Sequence, residues 1–395
     1  MYYKGNGFMN DMNLSIDHAI ELNINLESSC FLTKDYRLLA SDLAEVVKLA
    51  ACDYEKLSQT ITDSFQKLKK DPNANPILVG AIPFDTTQAS SLNIYRNHRK
   101  QRQLVISSKI THSPLSISNQ KPLIKQKDFA HAIDIAIDQF RCDQLEKVVL
   151  SQAVDFELSQ SQNPFDLVDT LAKENPHAFS FAIPVEDNAY LLGASPELLI
   201  SKNDLTVRSN PLAGSRPLSE DENINQSRIH ELYASEKDLN EHQIVVDSVL
   251  ENLKPFCQKL KVLEKPEILK TATMLHLSTV FDGQLKKQSD NALQLALALH
   301  PTPAICGSPT EPAKQFILEH EGYDRHYFAG LVGWMDAQGN GEWAVTIRCG
   351  LLNDKKIRLY AGAGIVMGSQ AELEWSETEV KMQTLLKTLS ATFHS

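Results

Sequence analysis

The sequence predicts an α+β fold, an antiparallel sheet with helices set apart from the strand runs. Three observations predict it. From Leu145 onward the chain reads as short apolar strands in KVVLSQAVDFEL, YLLGASPELLISKNDLTVRS and GEWAVTIRCGLLNDKKIRLYAGAGIV. Lys-Asn-Asp and Asn-Asp turns fold these runs into hairpins. Two long helical segments, from Ser235 to Phe256 and from Ala371 to about Ser390, interrupt them without strict strand–helix alternation.

The chain before Leu145 is read in the same way. DYRLLASDLAEVVKLAACDYEKLSQTITDSFQKLKKD has apolar residues at helical spacing and reads as helix. PILVGAIPFD reads as a buried strand, and FAHAIDIAIDQF as a helix. The polar, Ser-rich SSKITHSPLSISNQKPLIKQKD between them reads as a surface connection. At 395 residues, 42% hydrophobic and 23% charged, the chain has material for two ordinary domains or one large one.

The formal charge is -11, and the basic residues form only short pairs such as Lys69-Lys70, which argues against nucleic-acid binding. No charged and apolar leader is seen at the start, and no run of 18 apolar residues anywhere. The expectation is no signal peptide and no membrane span. Cys30, Cys52, Cys142, Cys257, Cys306 and Cys349 are scattered without a CxxC, which argues against zinc and disulfides and suits a reducing cytosol.

Several residues have a chemical reading beside an ordinary one. Strand alternation puts Lys147 with Val149, Ser151 and Ala153 on one face, and Val148, Leu150, Gln152 and Val154 on the other. Alone, Lys147 reads as an edge-strand lysine that discourages aggregation; buried, a lysine is a base. Glu197, after Ser-Pro at a strand start, reads as a surface residue, or, in an apolar pocket, as a general acid. NPLAGSRP reads as a small-residue loop, by default a turn, whose backbone N–H groups suit an anion. Glu241 lies on a helix with apolar residues on several sides, so it is buried and needs a partner such as a cation. Glu374, Glu377 and Lys381 share one face of the last helix, either as a solvated ion-pair stripe or as two carboxylates for a hard cation. Alternation in GEWAVTIRC places Arg348 with Ala344 and Thr346, where it suits a carboxylate or a plain cross-strand ion pair. His276 alone reads as a satisfied core histidine.

In order, KVVLS, ASPELL, PLAGSRP, Glu241-His242, LHLST, LHPTPAICGSPT, YFAGLVGW, GEWAVTIRC, YAGAGIV and EWSETEVK resemble the chorismate-utilising enzymes. The resemblance is most specific to the isochorismate synthases of catechol-siderophore (2,3-dihydroxybenzoate) pathways. It is dense from Leu145 to Leu386 and looser over residues 1–125. It implies a single large α+β domain over 1–395, with extended antiparallel sheets and outer helices. It implies that Lys147 activates water and that Glu197 protonates the departing hydroxyl. Glu241 and Glu377, with Glu374 beside them, match the Mg²⁺ ligands. Arg348 matches the group that binds the enolpyruvyl carboxylate. Gly214, Ser215, His276, Ala304, Phe328, Gly362 and Lys381 match other substrate-site positions. The resemblance implies a cytoplasmic monomer acting on chorismate, with no nucleic acid, membrane or glutaminase partner.

Within that family, amine-adding members carry glutamine where this chain has Lys147. The aminodeoxychorismate branch often carries a lysine where it has Ala213. Salicylate synthases, which go on to expel pyruvate, and menaquinone-type isochorismate synthases remain alternatives, although HPTPAICGSP resembles the siderophore type better. A silent anion-binding homologue is the reading of another class; it would be signalled by loss of Lys147, Glu197 or a metal glutamate. Relatives commonly have arginine in place of Gln152. Because Gln152 alternates away from Lys147, that departure is expected to be structural.

Overall fold

The computed structural model describes residues 27–102, 116–388 and 392–393. Its hub is the strand Lys147–Leu158. One edge pairs antiparallel with Lys356–Val366, from Lys147↔Val366 to Glu157↔Lys356. The other edge is covered by Gly307–Ser308 at its start and Ser116–Pro122 at its end. A strand paired on both edges and packed on both faces is buried throughout, and the first eight residues here are. The edge-strand reading of Lys147 therefore fails: its side chain is 0% exposed.

Among the described residues eighteen strands hydrogen-bond into one sheet, and Leu212–Pro217, Met274–Ser278 and Glu267–Lys270 form a second of three strands. The pairing is antiparallel except where Thr392–Phe393 lies beside Ser116–Ile117. Strands from early and late in the chain are neighbours, as in Ile77–Ile82 against Leu331–Asp336. Helices Gln126–Arg141 and Ala371–Thr388 pack against the outside of Lys147–Leu158 and Lys356–Val366. Pro164–Glu174 covers a second apolar cluster that includes Val154, Phe156, Leu385 and Leu386. Burying each such side chain contributes roughly 1.5–3 kcal/mol. The α+β reading therefore holds, as do the buried strand Ile77–Ile82 and the helix Gln126–Arg141.

Five local expectations differ. The helix expected from Asp35 begins at Tyr54; Tyr36–Val47 is a strand in register with Ser91–Arg102 and, at its start, with Ser29–Leu32. Asp42 takes φ 63° and the register shifts just after it, between Leu43 and Glu45, yet the long-range ladder overrides local helical spacing. The polar connection is a mostly exposed strand at Ser116–Pro122, and its residues 107–115 lie outside the described residues. LAGSRP is a strand with a bulge at Gly214, φ 75°, instead of a loop. Two of the sequence runs also break where proline or strained backbone changes the strand's partner. Tyr190–Ser195 pairs with Phe179–Pro184, and after Pro196-Glu197 the strand Leu198–Asn203 pairs with Gly341–Val345. Gly341–Val345 in turn ends before Arg348, whose φ is 51°, so alternation does not carry across to it. The last helix lies where expected up to Thr388, beyond which residues 389–391 lie outside the described residues, and Glu236–Leu253 is a few residues shorter than expected.

Candidate active site

A cavity of about 320 Å³ opens between the three-stranded sheet, the hub strand and the helices Glu236–Leu253 and Ala371–Thr388. Glu197, Gly214, Ser215, Glu241, His276, Ala304, Phe328, Arg348, Gly362, Glu374, Glu377 and Lys381 all line it. Residues spread over almost 190 positions thus meet at one concave site of ligand size. Lys147 is placed differently. It stands one layer behind the wall, with Nζ donating to Glu241 Oε1 at 2.7 Å.

The strand geometry explains that placement. Gly364 sits opposite Val149, and a Cβ there would lie 3.0 Å from Glu241 Oε1 and 3.3 Å from Lys147 Cε. The glycine leaves the space through which the lysine reaches the glutamate. Sequence reasoning assigned Gly362 and missed Gly364; two glycines two residues apart on one strand face were the available signal. Gln152 points to the other side, donating to Thr378 Oγ1 at 2.5 Å under the last helix. It lies on the face away from Lys147, as alternation implied.

Glu197 follows the proline break and is buried at 2% exposure. Its Oε1 makes no hydrogen bond to the protein. Burial pushes its carboxyl up to about 7, against the lowering effects of the Leu212 N–H and the charges of Lys147 and Arg348. A bare carboxyl poised near neutrality is suited to giving a proton.

Arg348 is fixed by its left-handed backbone between two strands. Among the described residues no hydrogen bond or ion pair holds its guanidinium, and burial lowers its pKa although Glu377 and Glu197 oppose this. An unpaired guanidinium in a cavity wall suits a carboxylate of a ligand. His276 is not a satisfied core histidine: Nε2 has no partner in the protein. Burial, then Arg348 and Lys381, push it down to about 3, so the ring is neutral.

The three candidate metal carboxylates face the cavity, each beside a lysine. Glu241 meets Lys147, Glu377 Oε1 is 2.6 Å from Lys381 Nζ, and Glu374 Oε1 is 4.0 Å from Lys237 Nζ. Lys381 also donates to Gly362 O at 2.8 Å. Burial, with the charge of Glu377, raises the Glu374 pKa despite a hydrogen bond from Ser369. Among the described residues no three His, Cys, Asp or Glu side chains already converge as a closed cation cage. The donor set nevertheless fits a hard cation that uses one or two carboxylates and completes its shell with ligand and water.

Sequence reasoning also missed Lys237, Val149 and the Arg216–Asp238 pair, 2.8 Å apart, on the cavity wall. For Val149 and Arg216 the available signal was their place inside KVVLS and PLAGSRP; nothing in the sequence setting of Lys237 and Asp238 separates them from ordinary surface residues.

Fold and site together define an α+β protein with a deep cavity suited to a small anionic ligand. The chain matches the chorismate binding enzyme family over residues 77–390 and belongs to it. It is 40% identical over 369 residues to the isochorismate synthase DhbC of Bacillus subtilis (strain 168), covering 91% of this chain and 93% of that one. It is also 40% identical over 332 residues to the isochorismate synthase EntC of Escherichia coli (strain K12), covering 83% and 85%. A solved Bacillus anthracis structure, assigned as a 2,3-dihydroxybenzoate-specific isochorismate synthase, superposes with a TM-score of 0.86 at 38% identity, over 93% of this chain and 97% of that one.

Proposed function

We propose that the chain converts chorismate to isochorismate and supplies 2,3-dihydroxybenzoate for a catechol siderophore. Similarity to named isochorismate synthases along most of both chains supports the reaction. In the site, the observation that carries it is Glu197, buried, bare at Oε1 and with a pKa near 7.

Arg348 takes the enolpyruvyl carboxylate through its unpaired guanidinium. Water attacks C2 and its proton goes to Lys147 Nζ. Both ring double bonds shift, C1=C2 to C1=C6 and C5=C6 to C4=C5, the C4–O bond breaks, and Glu197 gives its proton to the departing oxygen, so one water enters and one leaves. Neutral His276, Gly214, Ser215 and Lys381 orient the substrate, and Ala304 and Phe328 form walls around it. We assign Glu241 and Glu377, with Glu374 beside them, to Mg²⁺. When bound, the ion supplies positive charge for the ring carboxylate and for the carboxylate cluster.

We also propose one chorismate-binding domain acting as a monomer; apart from Lys147, the assigned residues line a single cavity. Lys147 in place of glutamine, and Ala213 in place of lysine, support water as nucleophile and no glutaminase subunit. No helix among the described residues is long and apolar enough to cross a membrane. Together with the free cysteines, that fits the proposed cytoplasmic setting.

Two experiments test the reading. Chelation should abolish turnover, and added Mg²⁺ should restore it. In the same series Mg²⁺ should raise the melting temperature of the wild type but not of Glu377→Ala. Full turnover in excess chelator, or an equal thermal shift in both proteins, would refute the metal assignment. The product is tested by chromatography of chorismate and isochorismate, beside detection of pyruvate through lactate dehydrogenase. A mixture of the two dienes with little pyruvate is expected. Stoichiometric pyruvate and salicylate would make the chain a salicylate synthase instead.

A further inference from the structure

We infer that Glu321 and Arg325 are a positioning pair for the ring wall, and that Arg325 sets where the loop carrying Ala304 stands against the substrate. The inference rests on reading the cavity as a chorismate site. Residues 301–306 connect the helix Ala292–Leu299 to the short strand Gly307–Ser308, and Ala304 and Ile305 line the cavity. The backbone ladder to the hub strand reaches only as far as Cys306, whose carbonyl accepts from Val149 N at 2.8 Å, so at Ala304 and Ile305 side-chain anchoring matters. Arg325, 3% exposed, supplies it from behind.

The Arg325 guanidinium donates to Ile305 O at 3.0 Å and to Val149 O at 2.7 Å. It also donates to both oxygens of Glu321, each at 2.6 Å. Glu321 Oε1 in turn accepts from Ser151 N at 2.8 Å and Ser151 Oγ at 2.6 Å. The Phe328 N–H donates to Arg325 O at 2.9 Å. One buried pair therefore joins the ring-side loop, the strand that carries Lys147, and the turn that carries Phe328. Neither residue lines the cavity, so both act through others.

A buried ion pair contributes little net stability compared with apolar residues of the same volume. What this one contributes is direction. A planar guanidinium fixes two carbonyls and a carboxylate in one arrangement, which a lysine ammonium cannot reproduce.

The test uses Arg325→Lys, and the double variant Glu321→Leu/Arg325→Met, which leaves neither charge stranded. Hydrogen–deuterium exchange across residues 301–309 and chorismate kinetics are measured together, with melting temperature as the check on folding. The expected result is faster loop exchange and a KM roughly 10- to 100-fold higher, with kcat less affected. The loop should respond while the melting temperature stays near wild type in at least one variant. Wild-type loop exchange in either folded variant overturns the inference, as does a fall in kcat with KM unchanged. If the wild type fails to turn over chorismate, the reading of the site is wrong, and loop exchange still decides whether Arg325 anchors the loop.

Discussion

Lys147→Ala should lower the rate of isochorismate formation by about 10²- to 10⁴-fold, the usual contribution of a positioned base. The side chain is fully buried on a strand paired along both edges, so solvation of an exposed charge does not explain the lysine. Its Nζ is held 2.7 Å from Glu241, at the boundary of a cavity whose opposite chemistry is an acid. Removing the Lys147 side chain leaves Glu241 without that partner, but the carboxylate borders the cavity and water can reach it. Melting should consequently fall far less than activity. Single-turnover assays on folded protein make the measurement. A rate within about threefold of wild type would show that some other group takes the proton from water.

Much of this site was legible because its residues lie in short motifs whose chemistry is carried by side-chain type. Glu197, Arg348 and the two glutamates on the last helix are such residues. Their convergence was not legible, because it depends on pairings such as Ser215↔His276 between strands about 60 positions apart. Local patterning also failed where a distant partner decides the backbone. Tyr36–Val47 has helical spacing but lies in a ladder with Ser91–Arg102. Alternation assigned Arg348 to a strand face, whereas its left-handed φ between two strands sets its direction. The Glu321–Arg325 pair was invisible for a further reason: an acid and a base four apart on a sequence look like a surface ion pair until burial is known.

Glu197→Gln should nearly abolish turnover, and it should also reveal the pH at which the wild-type acid is lost. The wild-type carboxyl has its pKa raised from 4.5 to about 7 by burial. As a proton donor it acts in the protonated form, so kcat/KM should be sustained below that pH and fall as pH rises through it. The linkage to stability has the same sign. A group whose folded pKa is raised favours folding below its unfolded pKa, and the advantage disappears as pH rises through the folded value. For Glu197 the window runs from 4.5 to about 7, and the full difference is roughly 3 kcal/mol. Glutamine carries no such charge. Relative to wild type, the variant should therefore gain stability across that window and hold the gain at pH 8, while losing about 10²-fold or more in rate. Denaturant melts of both proteins at pH 5 and pH 8, beside pH–rate profiles, make the comparison. An equal stability difference at the two pH values would mean that Glu197 is hydrated and ionised across the range. It would then have no proton to give to the C4 oxygen at neutral pH.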